Sequence, residues 1–226
     1  MTRSIDWSTT HNVAGLPPGS KLSILGWGAE SIALGRALSC GYTVFLSLWR
    51  DSKYDAVLDA SGVMFRLSTK STSTGDGINA TAGWRAGKQI SRSVLARTQK
   101  LSATDSDFLI GVDNRYGLCW IVPIEYCAIF SREKLASHHL KEFEEKWSLF
   151  SNPPSGIYLD DLREGFRSRP LAELKTIASA LGVAPPSPNF KFDFAPSNPR
   201  ARSVRRLSPE DWYTASIWRA IYASLP

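Results

Sequence analysis

The sequence predicts an α/β fold in which one helix precedes a five-stranded sheet and a mostly helical segment follows. Three observations indicate this: helical spacing of apolar residues within 29–40, five strand-like runs between 42 and 122, and a change of character after residue 130. The chain has 226 residues with a hydrophobic share of 43%, which is enough for a buried core.

The first predicted element is a short amphipathic helix. Its apolar residues recur at helical spacing: Ala33, Leu34, Ala37 and Leu38. Gly41 follows and can end the helix. Residues 1–20 are polar and rich in Gly and Pro, so we expect an N-terminal arm there.

Five strands follow, each rich in β-branched or aromatic residues and bounded by turn residues. They are predicted at Tyr42 to Leu46, Tyr54 to Asp59, Met64 to Ser71, Phe108 to Val112 and Leu118 to Val122. Between the third and fourth strands, residues 71–87 are rich in Ser, Thr and Gly, which predicts a loop.

Three helices are predicted after residue 130. They span Lys134 to Phe150, Pro170 to Leu181 and Pro209 to Leu225. The last has a strong start signal, because Ser208 can cap it and Pro209 suits its first position. We therefore divide the chain into an arm at 1–20, a core at 21–130 and a helical C-terminal extension at 131–226, for DNA recognition or oligomerisation.

The composition limits the class of protein. The net charge of +6 is compatible with a nucleic-acid partner but does not establish one. The three cysteines form no C-x-x-C pair and there are three histidines, so neither a disulfide framework nor a zinc site is expected. The N-terminal residues lack the apolar region of a signal peptide, and no apolar run approaches the about 18 residues of a membrane span. We expect a cytoplasmic protein with no membrane partner.

Two acids and a lysine near the start of the predicted sheet suggest chemistry. Glu30 opens the first helix, Asp55 lies in the second strand and Lys70 lies in the third. Paired carboxylates can hold Mg²⁺, which prefers hard oxygen ligands, beside a phosphodiester. A nearby lysine can orient an attacking water or neutralise developing negative charge. This combination predicts a nuclease.

Strand and helix periodicity bring these side chains together. Residues i and i+2 of a strand share a face, so Ser68 and Lys70 point the same way, as does Arg66. Glu30 lies on the apolar, sheet-facing stripe of its helix. Burying an unpartnered charge costs several kcal/mol, so we expect a metal ion or Lys70 as its partner.

In their order and spacing, these residues resemble the PD-(D/E)xK nuclease superfamily. Four runs carry the resemblance: Gly28-Ala29-Glu30, Gly41-Tyr42-Thr43-Val44, Tyr54-Asp55-Ala56-Val57 and Phe65-Arg66-Leu67-Ser68-Thr69-Lys70. Residues 107–112 and 120–123 resemble the last two core strands of the branch that contains archaeal Holliday-junction resolvases and group I intron homing endonucleases. The resemblance covers residues 22–127 and implies a restriction-endonuclease-like core, with a central mixed sheet flanked by helices.

The resemblance also implies a role for each site residue. Asp55 would be the principal ligand of Mg²⁺ or Mn²⁺, Glu30 the helix acid and second ligand, and Lys70 the motif lysine. Ser68 occupies the position where the superfamily has Glu, Asp or sometimes Gln. The site either uses one metal ion held by Asp55 and Glu30, or has lost activity.

Two basic clusters are candidates for contacts to DNA phosphates. The first follows the lysine strand and comprises Arg85, Lys88 and Arg92. The second precedes the last helix and comprises Arg200, Arg202, Arg205 and Arg206.

The sequence therefore predicts a metal-dependent, site-specific endonuclease of double-stranded DNA, of homing or restriction type. A homo-oligomer is expected because cutting two strands needs two sites. The alternatives are a catalytically inactive DNA-binding protein on the same fold, a Holliday-junction resolvase, and a protein–protein module whose acids are structural. Replacing Ser68 by Glu or Gln discriminates between them, because an attenuated nuclease should bind metal more tightly and an interaction module should not respond.

Overall fold

A computed structural model describes residues 16–47, 52–83, 98–129, 134–187 and 207–226. Its centre is a five-stranded sheet of strands β1 (Thr43–Leu46), β2 (Ala56–Ala60), β3 (Val63–Thr72), β7 (Phe108–Asp113) and β8 (Leu118–Pro123). These strands lie side by side in that order. All five correspond to the strands predicted from the sequence.

The sheet is mixed. Strands β1, β2 and β3 form an antiparallel meander, and β7 and β8 form an antiparallel hairpin. The two groups join through the parallel pair β3–β7, in which Lys70 lies opposite Gly111. Helix α1 (Pro18–Ser39) packs on β1, β3 and β7, and α2 (Ile124–Ile129) contacts β8. The predicted fold class, an α/β protein with a mixed sheet flanked by helices, is confirmed.

Helix α1 is longer than the sequence predicted. It begins at Pro18, inside the segment predicted to be an arm, because proline is compatible with the first turn of a helix. Its second half buries Ala29, Ala33 and Ala37 against the sheet, whereas large apolar residues of its first half, such as Trp27, are exposed. The helix ends at Ser39, and Gly41 follows two residues later in a left-handed conformation with φ of 88°, close to the end predicted from the sequence.

The segments around the sheet differ from their predictions. The segment predicted as a loop contains β4 (Gly77–Asn79) and β5 (Thr81–Gly83), which pair with β9 (Lys134–Ala136) and β6 (Thr98–Lys100). The single helix predicted at 134–150 is wrong. There the chain forms β9, the short helix α3 (Ser137–Leu140) and two 3₁₀ turns, 141–143 and 147–150. The first residues of this segment pair with β4 as a strand instead of forming a helix. Further along, Glu145 has a φ of 52°, which is incompatible with a continuous helix.

The C-terminal region is mostly helical, as predicted. It contains α4 (Leu159–Glu164), α5 (Leu171–Ala180) and α6 (Pro209–Ser224). The hydroxyl of Ser208 accepts a hydrogen bond from the Asp211 N–H, so the predicted cap of α6 is present. Trp218 of α6 packs edge-on against Phe108 of β7, with ring centroids 5.9 Å apart. Helix α6 thus contributes to the same buried cluster as the sheet. The functional division at residue 130 stays a prediction.

A buried carboxylate, Glu125, ties this region to the sheet. Its oxygens accept hydrogen bonds from the backbone N–H of Phe166 at 2.8 and 2.9 Å and of Arg167 at 2.8 Å. The indole N–H of Trp218 also donates to it. Glu125 lies in the first turn of α2, just after β8, while Phe166 follows α4 and Trp218 lies in α6. One side chain therefore connects three parts of the chain.

Candidate active site

Asp55 lies in a bend immediately before β2, not inside the strand as predicted. Its backbone N–H donates to the Leu67 carbonyl at 2.8 Å and its carbonyl accepts from the Ser47 N–H at 3.1 Å. Its carboxylate oxygen Oδ2 accepts from the backbone N–H of Thr69 at 2.6 Å. The regular β2–β3 ladder ends at Leu67, so the carboxylate satisfies a β3 donor that lies beyond the ladder.

Glu30 lies on the half of α1 that packs against the sheet, and its side chain is half-buried. Burial raises the pKa of Glu30 above its usual value, and the negative charge of Asp55 raises it further. The positive charge of Lys70 opposes both effects. The fold therefore brings the predicted helix acid, strand acid and lysine within electrostatic range of one another.

Lys70 lies in β3, two residues beyond Ser68, and is partly exposed. Its register partner on β7 is Gly111, and the space over that glycine is filled, because a Cβ there would lie 2.6 Å from Ile78 and 3.0 Å from Trp120. Arg66, on the same strand face by alternation, is held by Asp107 through contacts of 2.6 and 3.3 Å. Arg66 also donates to the carbonyls of Ala103 and Thr104, so it anchors the loop before β7.

Ser68 is buried, with 2% of its surface exposed. Its hydroxyl donates to the backbone carbonyl of Lys53 at 3.3 Å, in the bend that carries Asp55. Sequence reasoning placed Ser68 at the site but did not find this contact or Lys53. No sequence pattern signals it, because it depends on how the bend folds back over β3.

The donor set suits a hard divalent cation. Among the described residues, His, Cys, Asp and Glu side chains form no group of three or more that could hold a metal ion. Glu30 and Asp55 provide two carboxylates, and Mg²⁺ usually takes one or two together with waters and substrate oxygens. Burial and then the negative charge of Asp55 raise the pKa of Glu30, and a bound cation would oppose both effects.

The predicted DNA contacts lie outside the described residues. This applies to both basic clusters: Arg85, Lys88, Arg92, Arg200, Arg202, Arg205 and Arg206. Within the described ranges, no helix combines the length and the apolar character needed to cross a bilayer.

Comparison with known proteins gives weak similarity to solved structures. No family model matches the chain. A search of curated proteins also finds no match. The chain is similar in structure to a bacterial homing endonuclease, I-Ssp6803I, at 20% sequence identity and a TM-score of 0.42. The match covers 50% of this chain and 76% of the other. A similarity at this level supports no conclusion about function.

Proposed function

We propose that this protein is a metal-dependent, site-specific endonuclease that hydrolyses phosphodiester bonds of double-stranded DNA. One observation carries the proposal: Glu30 of α1, Asp55 before β2 and Lys70 of β3 interact electrostatically in the folded chain. Two acids and a lysine from three separate elements are the groups that metal-assisted phosphodiester hydrolysis requires. The resemblance of these residues to the PD-(D/E)xK superfamily supports the same function.

Asp55 and Glu30 are the residues that would hold Mg²⁺ or Mn²⁺. A cation bound there supplies charge neutralisation at the phosphate and lowers the pKa of a coordinated water. The hydrogen bond from the Thr69 N–H fixes one carboxylate oxygen of Asp55 and leaves the other oxygen available as a ligand. Lys70 would place its ammonium group beside the attacking water or the phosphate, where it stabilises negative charge.

The partner and the assembly belong to the same proposal. A net charge of +6 favours association with a polyanion. The two basic clusters would contact phosphates on either side of the cleaved bond. A homo-oligomer would provide a second site for the second strand.

A second candidate function is a DNA-binding protein that has lost catalysis. Ser68 favours it, because this neutral, buried side chain stands where the superfamily carries an acid or a glutamine, and its hydroxyl is bound to a carbonyl. Such a protein would bind DNA in a salt-dependent way without metal and would not cleave it.

Cleavage of a randomised-target DNA library with Mg²⁺ or Mn²⁺ tests the proposal, with branched DNA as a parallel substrate for the resolvase alternative. The informative variants are Lys70→Ala and Asp55→Asn. Asparagine keeps an oxygen for the Thr69 N–H, whereas alanine would also disturb β3. Lys141→Ala, at an exposed lysine remote in sequence, is the matched control.

Metal-dependent cleavage that both variants lose and Lys141→Ala keeps is the expected result. Cleavage that survives both substitutions would refute the assignment of the site. Salt-dependent binding of an intact library would favour the inactive DNA-binding protein.

A further inference from the structure

Besides the hydrogen bonds that Asp55 accepts from Ser47 and Thr69, three contacts hold the bend at 53–55 against its neighbours. The Ser68 hydroxyl donates to the Lys53 carbonyl at 3.3 Å. Two residues later, the backbone N–H of Asp55 donates to the Leu67 carbonyl at 2.8 Å. The ammonium group of Lys53 also lies 3.4 Å from a carboxylate oxygen of Asp105, in the loop before β7.

The Asp105 anchor is itself ordered. Its second oxygen accepts from the backbone N–H of Ser102 at 3.0 Å and from the Ser102 hydroxyl at 2.6 Å. The Lys53–Asp105 pair is largely solvent-exposed on the lysine side, so it contributes little energy. Two side-chain contacts therefore hold the bend against β3: the Asp55 carboxylate accepts the Thr69 N–H at 2.6 Å, and the buried hydroxyl of Ser68 holds the Lys53 carbonyl.

We propose that Ser68 is a positioning residue that acts on the metal site through the backbone of the 53–55 bend. By holding the Lys53 carbonyl against β3, it keeps the Asp55 carboxylate over the Thr69 N–H and on the side that faces Glu30. The metal-binding part of this inference rests on the proposed function, whereas the placement of Asp55 does not.

The environment of Ser68 distinguishes this role from that of a ligand. Its proton is donated to a carbonyl, and only 2% of the residue's surface is exposed, which leaves little room for a direct contact to a cation. A carboxylate at position 68 would set an acceptor against the Lys53 carbonyl, which repels it. Ser68→Glu should therefore displace the bend and weaken metal binding, which reverses the expectation from sequence alone.

The test combines amide hydrogen exchange by NMR with Mn²⁺ titration of the full chain. Ser68→Ala removes the hydroxyl, and Ser68→Cys keeps its volume with a much weaker donor, in case the alanine variant folds poorly. Ser106→Ala is the matched control, because Ser106 is a fully buried serine whose hydroxyl has no hydrogen-bond partner. Ser68→Glu separates the positioning role from the ligand role.

Loss of one buried hydrogen bond should accelerate exchange of the Asp55 and Thr69 amides by about threefold to tenfold. The Mn²⁺ concentration at the midpoint of the titration should rise by a similar factor in Ser68→Ala and Ser68→Cys. It should also rise in Ser68→Glu. Ser106→Ala should leave the two amides and the midpoint unchanged.

Unchanged exchange at both amides in Ser68→Ala would overturn the positioning role, whatever the metal does. A lower Mn²⁺ midpoint in Ser68→Glu would overturn it in favour of a ligand role. If the native chain binds no metal but the two amides still exchange faster, the proposed function fails while the placement of Asp55 by Ser68 stands.

Discussion

Replacing Glu125 by glutamine should destabilise the whole fold, although the substitution changes almost no volume. The carboxylate accepts from three donors: the backbone N–H of Phe166 and the indole N–H of Trp218, which belong to buried residues, and the backbone N–H of the exposed Arg167. Trp218 and Phe166 share one oxygen, Oε1, and Arg167 and Phe166 share the other, Oε2. Both oxygens are therefore in use as acceptors.

The size of the effect follows from these contacts. Glutamine replaces one oxygen with an NH₂ group, so either the Trp218 indole or the Arg167 N–H must face a donor, whichever way the amide turns. A buried donor such as the Trp218 indole costs about 1–3 kcal/mol when it is left without an acceptor, and the exposed Arg167 N–H lies at the low end of that range. For a chain of this length each kcal/mol lowers Tm by about 2–4 °C, so we expect a decrease of about 2–12 °C.

Thermal unfolding followed by circular dichroism measures this decrease. Glu164→Gln is the control, because Glu164 has the same chemistry but a side chain that is 65% exposed. That substitution should stay within about 0.5 kcal/mol of the native protein. An unchanged Tm for Glu125→Gln would refute the reasoning, because it would mean that the three donors find other acceptors and that Glu125 does not connect α6 to the sheet.

Three further predictions concern the candidate site and the Glu125 contact. Burial and the charge of Asp55 raise the pKa of Glu30 in the folded protein. Protonation of Glu30 therefore stabilises the fold fully below about pH 4.5, and this stabilisation is lost as the pH rises through the raised pKa. Glu30→Gln should therefore increase the Tm of the metal-free protein at pH 8. It should also abolish the increase in Tm that Mn²⁺ causes. A lower Tm of the metal-free variant in a fluorimetric scan would contradict this. The affinity for Mn²⁺, measured by titration calorimetry, should fall as the pH is lowered towards the raised pKa of Glu30, because protons and metal compete for its carboxylate. A constant affinity between pH 8 and 5 would argue against Glu30 as a ligand. Gly165→Ala should destabilise the protein more than Gly182→Ala. Both glycines have a positive φ, of 76° and 74°, but only at Gly165 would the new methyl lie 2.5 Å from a Glu125 oxygen. Equal losses of unfolding free energy in urea would exclude the clash.

The sheet was predictable because each strand carries its own local signal. Alternating or continuous apolar runs between turn residues identified all five core strands, and Ser208 with Pro209 marked the start of α6. These signals depend on the residues of the element itself. They therefore survive in any tertiary environment that buries the apolar face.

The missed elements depend on partners that are distant in the sequence. Residues 134–136 form a strand because β4, more than fifty positions earlier, pairs with them. The apolar pattern of 134–150 suits a helix, but Glu145 takes a positive φ, and its carboxylate accepts the Cys119 N–H at 2.8 Å. Tertiary contacts of this kind override helical periodicity and leave no local trace.

The sequence offered candidate members of the site but not the contacts that support them. The order of Glu30, Asp55 and Lys70 along the chain led us to expect them together, and their roles stay a prediction. The position of Asp55 in a bend, with its carboxylate on the Thr69 N–H, was not expected, because it depends on where the β2–β3 ladder stops. The contact between Ser68 and Lys53 has the same origin.

The two acids of the site differ in what the chain would lose without them. Asp55 satisfies a backbone donor of β3, so the fold itself has a use for an oxygen at that position even in the absence of any cation. Glu30 has no such use, because burial and the charge of Asp55 both disfavour its ionised form. Under drift in a lineage that no longer needed a cation, Asp or Asn would persist at position 55, whereas neutral replacements would be favoured at position 30. Under the proposed function, Glu30 would therefore be the residue whose presence depends most directly on a bound positive charge.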